Sequence, residues 1–133
     1  MCKCVVVAPS FLERIVEHAA STQPNECCGI LGGKGNVVTS VHPLTNDLAS
    51  PDGFFANPAE LFQAIRKMRQ SREEMIGIYH SHPFGPSQPS TRDREENGYP
   101  GLYYFIISLA GNKPETSCFM MTPEGPFSRM TMI

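Results

Sequence analysis

The sequence predicts an α+β fold, in which helices pack on a mixed β-sheet. Three observations support this class: apolar runs of strand length recur along the chain, two segments carry apolar residues at helical spacing, and glycine, proline and asparagine mark the boundaries. With 133 residues, of which 41% are hydrophobic and 18% charged, the chain has the size and composition of one globular domain. We therefore predict a single domain over residues 1–133, with the layers of an α/β sandwich.

A strand and a helix are predicted first along the chain. Residues 2–8 are rich in valine and end before Pro9, as is typical of a β-strand. Ser10 and Glu13 have the spacing of a capping box, which predicts that a helix begins there. The core face of this helix is predicted from one apolar stripe, formed by Leu12, Ile15, Val16 and Ala19.

A β-hairpin and a second helix are predicted next. The apolar run at 26–33 predicts a buried strand, residues 35–36 supply a turn, and residues 37–44 predict the returning strand. After a polar connection, Asn57 is the predicted cap of a helix whose first turn contains Pro58. The core face of this helix is predicted to consist of Leu61, Ile65 and Met68.

The rest of the chain predicts further strands and a short helix. Residues 75–82 have strand character and end in two histidines. A proline-rich loop follows, and the charged segment 90–97 predicts one or two helical turns. Residues 102–109 are apolar enough for a central strand. The last two strands and the turn between them are predicted at 116–122, 127–133 and 123–126.

Charge and hydropathy exclude several functions at the sequence level. The net charge is −2, and the sequence has no basic cluster of the kind that nucleic-acid binding requires. The longest apolar runs are too short to span a bilayer, and the N-terminus lacks a signal-peptide pattern, so we predict a cytoplasmic protein without membrane contacts. The five cysteines match no zinc-finger spacing and are predicted to be free thiols; whether Cys27, Cys28 or Cys118 has a redox role is left open, as is the oligomeric state.

A candidate metal site lies between His80 and Asp93. Side chains at positions i and i+2 of a strand share one face, so His80 and His82 are predicted to present two imidazoles to one ion. The following loop reverses the chain and allows Asp93 to supply a third, oxygen ligand. Two imidazoles and one carboxylate suit Zn²⁺, one ion per chain, and leave a fourth position open, as in catalytic zinc sites.

Two further residues are candidates for catalysis. Peptide hydrolysis needs a carboxylate that moves protons near the metal without binding it, and Glu26 is the candidate. Ser90 is the candidate donor to the oxyanion. Each residue also has a structural interpretation: the histidines as polar residues on an exposed strand face, Ser90 and Asp93 as a capping box, and Glu26 as a solvated carboxylate. His18 and His42 have no partner pattern and are predicted to be non-functional.

Taken together, these residues resemble the JAMM (MPN+) metallopeptidases. The family pattern is an upstream glutamate, here Glu26 followed by Cys28-Gly29, and then H-x-H-x(7)-S-x-x-D, here from His80 to Asp93 without a gap. The likeness covers the chain to about residue 122. It implies a curved mixed sheet flanked by helices, with JAMM/MPN (cytidine-deaminase-like) architecture. It also implies zinc on the two histidines and the aspartate, Glu26 as acid/base, and Ser90 as oxyanion stabiliser.

The resemblance implies a substrate class as well. Members of the family cleave after the C-terminal Gly-Gly of ubiquitin, ubiquitin-like or sulfur-carrier proteins. The connections at 45–57 and 84–101 are short, as in minimal prokaryotic-type members, so a β-grasp protein other than polyubiquitin is the predicted substrate. Two alternatives stay open. One is release of cysteine or another small adduct from a sulfur carrier, and the other is a non-catalytic MPN interaction module, although all five motif residues are present.

Overall fold

Seven strands and three helices make up the part of the chain that the structure, a computed structural model, describes: residues 3–96, 100–121 and 127–133. In chain order they are β1 (Cys4–Val5), α1 (Pro9–Thr22), β2 (Cys28–Lys34), β3 (Val37–Leu44), α2 (Pro58–Gln70), β4 (Glu74–His82), α3 (Thr91–Glu96), β5 (Tyr103–Ser108), β6 (Glu115–Met121) and β7 (Phe127–Met132). The predicted turn at 123–126 lies outside the described residues.

The strands form one mixed sheet in the order β1-β7-β6-β5-β4-β2-β3. The β4–β5 and β1–β7 pairs are parallel and the other pairs are antiparallel. As predicted, β5 is central, and all six of its residues are buried. The mixed sheet with flanking helices confirms the predicted fold class. The burial of β5 explains its apolar sequence, because a strand covered on both faces is apolar throughout.

Helices cover both faces of the sheet. Leu31 of β2 packs in a cluster that contains Ile15 and Ala19 of α1. Its neighbour Ile30 packs in a second cluster with Met68 of α2. Because successive strand residues point to opposite faces, α1 and α2 lie on opposite sides of β2. The apolar stripes that were predicted for the two helices therefore pack on opposite faces of the sheet and complete the core on each side.

The two long helices begin differently. Asn57 caps α2 as predicted, since its Oδ1 accepts a hydrogen bond from the N–H of Glu60 at 3.0 Å. The predicted capping box at the start of α1 is wrong: the helix begins one residue earlier at Pro9, and Ala8 occupies the N-cap position without a side-chain hydrogen bond. Proline at the first helical position has a suitable φ and no N–H to satisfy, which favours this start.

The N-terminal strand and one of the cysteines differ from the sequence predictions. β1 ends at Val5, short of the predicted end at residue 8; beyond it an isolated bridge joins Val6 to Val37, and the N–H of Val7 donates to the Ile133 carbonyl. Cys27, Cys28 and Cys118 are free and buried, as predicted, whereas Cys4 is disulfide-bonded. None of the helices in the described part of the chain is long and apolar enough to cross a membrane.

Candidate metal centre and active site

His80 and His82 occupy the carboxyl end of β4. Together with Ile78 they alternate along the strand, and Ile78 packs in the cluster beneath α2, so both imidazoles point to the α2 side of the sheet. Cys28 of β2 and Ile106 of β5 are the register partners of His80 on either side. The backbone of this segment is therefore held by two neighbouring strands, and His80 is only 1% exposed.

Asp93 reaches the histidines from the first turn of α3. The N–H of Ser90 donates to Asp93 Oδ2 at 2.9 Å, and the N–H of Asp93 donates to Ser90 Oγ at 3.1 Å. This reciprocal pair is the predicted capping box. Because the same Oδ2 atom also faces both histidines, the capping interpretation and the ligand interpretation hold together.

Three potential ligand atoms converge on one point. Asp93 Oδ2 lies 3.1 Å from His80 Nε2 and 3.0 Å from His82 Nε2, and the two Nε2 atoms are 3.2 Å apart. All three residues are buried. Tetrahedral ligands at about 2.0–2.1 Å from an ion lie about 3.3 Å from one another. The separations and the donor set therefore fit a divalent metal ion at the centre of this triangle.

The two imidazole rings are oriented in different ways. His82 Nδ1–H donates to the carbonyl oxygen of Pro86 at 2.8 Å, which leaves the Nε2 lone pair for a metal. His80 Nδ1 is buried and has no hydrogen-bond partner among the described residues. Instead, the ring of Phe54 stacks on the His80 ring, with centroids 4.9 Å apart and an interplanar angle of 27°. No local spacing in the sequence links Phe54 to His80.

The chain immediately before β2 brings Glu26 to this centre. Ser81, between the two histidines, accepts a hydrogen bond from the N–H of Cys27 through its Oγ at 2.8 Å, and donates its own N–H to the Cys27 carbonyl at 3.2 Å. Glu26 itself donates its N–H to the Ser50 carbonyl and accepts from the Asn46 side chain through its own carbonyl. The 46–57 connection thus holds the backbone of Glu26 beside the potential metal ligands.

The Glu26 carboxyl group is buried beside the three potential ligand atoms. The residue is only 4% exposed, and its Oε1 atom has no hydrogen-bond partner among the described residues. Burial raises the pKa of Glu26 to about 8, against the opposing effect of His82. The structural alternative of a solvated carboxylate therefore does not apply. A buried carboxyl with a free oxygen beside three metal-ligand atoms is suited to accept and return a proton.

Ser90 stands at the mouth of the site. Its Oγ atom accepts the N–H of Asp93, and the residue is exposed and lines the cleft next to His82. A serine Oγ can accept and donate at the same time. The hydroxyl proton can therefore point into the cleft while the helix cap is kept.

A cleft of about 340 Å³ opens over these residues, lined by Glu26, Pro51, Asp52, His82, Phe84 and Ser90 among others. A second, apolar groove of about 420 Å³ lies between β2, β4 and α2, where Phe54 and Phe55 line it together with Ile30 and Leu61. Phe54 also packs on the core, whereas Phe55 is 60% exposed. The contribution of Pro51 and Asp52 was not predicted, because the polar 46–57 connection has no motif of its own.

The other two histidines lie apart from this centre. His18 Nδ1 is 2.7 Å from the Tyr79 hydroxyl, and His42 Nε2 is 2.8 Å from Ser40 Oγ. Neither lines the cleft or belongs to the ligand triangle.

Comparison with known families identifies the chain. The family described as prokaryotic homologs of the JAB domain matches residues 8–122. The desampylase of Pyrococcus furiosus is 36% identical over 128 residues, which are 96% of this chain and 89% of that protein. The CysO-cysteine peptidase of Mycobacterium tuberculosis is 30% identical over 106 residues, 78% of this chain and 73% of that protein.

Solved structures agree with this assignment. A protein of Desulfitobacterium hafniense, determined in solution, superposes with a TM-score of 0.87 at 36% identity and covers 97% of this chain and 91% of its own. A JAB1/MPN domain protein of Archaeoglobus fulgidus, at 20% identity, shares the fold with a TM-score of 0.61, over 98% of each chain. This chain therefore belongs to the family of prokaryotic JAB-domain homologs and is a JAMM-type peptidase.

Proposed function

We propose that this protein is a zinc-dependent isopeptidase that hydrolyses the amide bond after the C-terminal Gly-Gly of a ubiquitin-like or sulfur-carrier protein. The observation that carries the proposal is the triangle of His80, His82 and Asp93, whose ligand atoms lie 3.0–3.2 Å apart beside the buried Glu26 carboxyl. These three residues would hold one zinc ion, because two imidazoles and one carboxylate are a typical catalytic zinc set.

Each residue has a separate task in the proposed reaction. When bound, zinc supplies a Lewis acid that lowers the pKa of water from about 15.7 to about 7. Glu26 would accept the proton from the attacking water and give it to the leaving amine, because its carboxyl group is buried beside the ligand triangle and lines the cleft. The Ser90 hydroxyl, at the cleft mouth, donates a hydrogen bond to the carbonyl oxygen as negative charge develops there.

The substrate class rests on the relatives and on the shape of the site. The similar proteins are named desampylase and CysO-cysteine peptidase. Phe54 lines the apolar groove and stacks on His80, while His82 lines the cleft. The groove and the cleft thus both border the ligand triangle, which suits a chain that enters along one and leaves through the other. We infer that a flexible carrier tail, rather than a folded surface, brings the scissile bond to the metal.

Incubation with carrier conjugates tests this proposal directly. The zinc-loaded protein is mixed with a panel of β-grasp carrier–protein conjugates, with and without a chelator, and the products are read by mass. We expect release of the intact carrier ending in Gly-Gly, abolished by the chelator and restored by zinc. Cleavage that persists after complete zinc removal, or release of carriers shortened within the tail, would contradict the proposal.

A further inference from the structure

The cleft over Glu26 has acidic residues in its wall and no Lys or Arg among its described lining residues. Its two carboxyl groups belong to Glu26 and to Asp52, which is exposed at the rim. The other walls are largely apolar, with Pro51, Pro86 and the ring of Phe84, which is 71% exposed. A small ligand in this cleft would meet negative charge and hydrocarbon.

This cleft is where the leaving group of the proposed reaction must lie. Glu26 has to reach the departing nitrogen to protonate it, and Glu26 lines this cleft. The apolar groove on the other side of Phe54 is left for the acyl side of the substrate. The chemistry of the cleft therefore selects the amine that is released.

Two kinds of leaving amine differ sharply in charge. The side chain of a lysine within a protein offers four methylenes and a nitrogen that becomes cationic on release, and its backbone carboxyl group is an amide. A free amino acid such as cysteine carries a carboxylate one carbon away from the nitrogen. Lysine methylenes pack well on proline and aromatic surface, whereas a carboxylate here would face Asp52, whose charge no Lys or Arg among the described lining residues offsets.

Building on the proposed function, we propose that this cleft selects lysine amines of proteins over free amino acids, and that Asp52 is the residue that determines this specificity. The assignment separates two activities that the resemblance alone leaves open, cleavage of carrier–protein conjugates and release of a carboxylate-bearing adduct.

Arg92 carries a positive charge close to this cleft. Arg92 is exposed, and its guanidinium lies against Gly53: a Cβ atom on Gly53 would be 2.6 Å from the guanidinium carbon. The guanidinium of this α3 residue thus lies against the loop next to Asp52, and Arg92 is not a lining residue of the cleft. Its charge acts on Glu26 and moderates the acidity of the rim.

The test uses three conjugates of one β-grasp carrier that end in the same Gly-Gly. In the first the carrier is joined to the ε-amine of lysine in an uncharged peptide, in the second to cysteine with a free carboxylate, and in the third to cysteine carboxamide. The second and third differ in one charge. Values of kcat/KM are measured with the zinc-loaded wild type, Asp52→Asn, Asp52→Lys and, as a control for net charge, Glu13→Gln, an exposed carboxylate of α1.

We expect the wild type to cleave the lysine conjugate fastest and the carboxamide about five- to tenfold faster than the free acid, the effect of one partly screened charge pair. Asp52→Asn should bring the acid and the carboxamide close together, Asp52→Lys should reverse their order, and Glu13→Gln should leave the ratio unchanged. Comparing ratios cancels any effect of the substitutions on the chemical step. In 1 M salt, where the screening length falls to about 3 Å, the wild-type preference should shrink.

The possible outcomes distinguish failure of this inference from failure of the proposed function. Failure of the zinc-loaded wild type to cleave any of the three conjugates overturns both. Cleavage with equal rates for acid and carboxamide, or a ratio that Asp52→Lys leaves in place, overturns the role of Asp52 and of the cleft charge while the proposed function stands.

Discussion

The ring of Phe54 lies over the ring of His80, at 4.9 Å between centroids and 27° between planes, and takes the place of a hydrogen bond to the outer nitrogen of that histidine. The two histidines of the site are thus oriented by different forces. His82 is held through its Nδ1–H by the Pro86 carbonyl, whereas His80 is held by packing between Phe54 and the sheet. Metal ligands normally depend on such outer contacts for their ring orientation.

Replacing Phe54 with leucine should therefore weaken metal binding. We expect zinc affinity to fall about tenfold, toward the lower end of the 10–100-fold range for lost outer-shell partners, because His80 gains rotational freedom. Affinity is measured by competition with a chromogenic chelator. Phe54→Tyr should keep wild-type affinity, and Phe55→Leu, at an exposed neighbour, serves as the matched control. Equal zinc affinity of Phe54→Leu and wild type would refute the orienting role of the stack.

Replacing Glu26 with glutamine should separate metal binding from turnover. The amide is nearly isosteric but cannot carry the proton, so we expect zinc content to stay at one ion per chain while kcat falls by about 10²–10⁴. His80→Ala and Asp93→Ala should lose both zinc and activity, because each removes one corner of the ligand triangle. Metal analysis beside single-turnover kinetics provides the measurement. Undiminished cleavage by Glu26→Gln would remove this residue from the mechanism.

One pair of variants can separate the structural role of Ser90 from its proposed chemical role. Ser90→Ala removes the hydroxyl that caps Asp93 N–H and that faces the cleft. We expect kcat to fall about 10²–10³-fold with little change in KM, and the free energy of unfolding to fall by about 1 kcal/mol from the lost cap. Ser90→Asp should restore the cap but not the donor. If Ser90→Asp recovers turnover together with stability, the serine acts only through the helix.

The hydrogen bond between His18 and Tyr79 should make stability depend on pH. Burial lowers the pKa of His18, and its neutral Nδ1 lies 2.7 Å from the tyrosine hydroxyl, from which it accepts a hydrogen bond. Below a pH of about 6.5 the unfolded chain binds a proton at this histidine that the folded chain still rejects, so the free energy of unfolding falls as the pH drops. Above that range His18 adds no pH dependence.

Denaturant titrations between pH 8 and 5 test this expectation. The difference in stability between wild type and His18→Gln should be constant above pH 7.5 and should move against the wild type toward pH 5, with a slope no steeper than about 1.4 kcal/mol per pH unit for one proton. His42, whose pKa is also lowered by burial, is present in both proteins and cancels. If the stability difference between the two proteins does not vary with pH, His18 has the same pKa in the folded and in the unfolded chain, which contradicts the expectation.

Local patterns in the sequence predicted much of this molecule. The hairpin around Gly35, the cap at Asn57 and the apolar central strand at 103–108 all depend on residues within a few positions of one another. The start of α1 was misjudged because two local signals compete there, the spacing of Ser10 and Glu13 and the preference of Pro9 for the first helical position. Where local signals agree, the sequence alone is sufficient to predict the secondary-structure element.

The sequence by itself predicted the residues of the proposed ligand set: two histidines at i and i+2 on one strand and an aspartate in a capping box behind a short loop. Strand alternation and helix capping act over a few residues, so their geometry can be read without the rest of the chain. Only the tertiary structure decided what surrounds these ligands. The β2–β4 pairing sets Glu26 beside residues more than fifty positions later, and the 46–57 connection supplies Phe54 and Asp52 through packing that no spacing encodes.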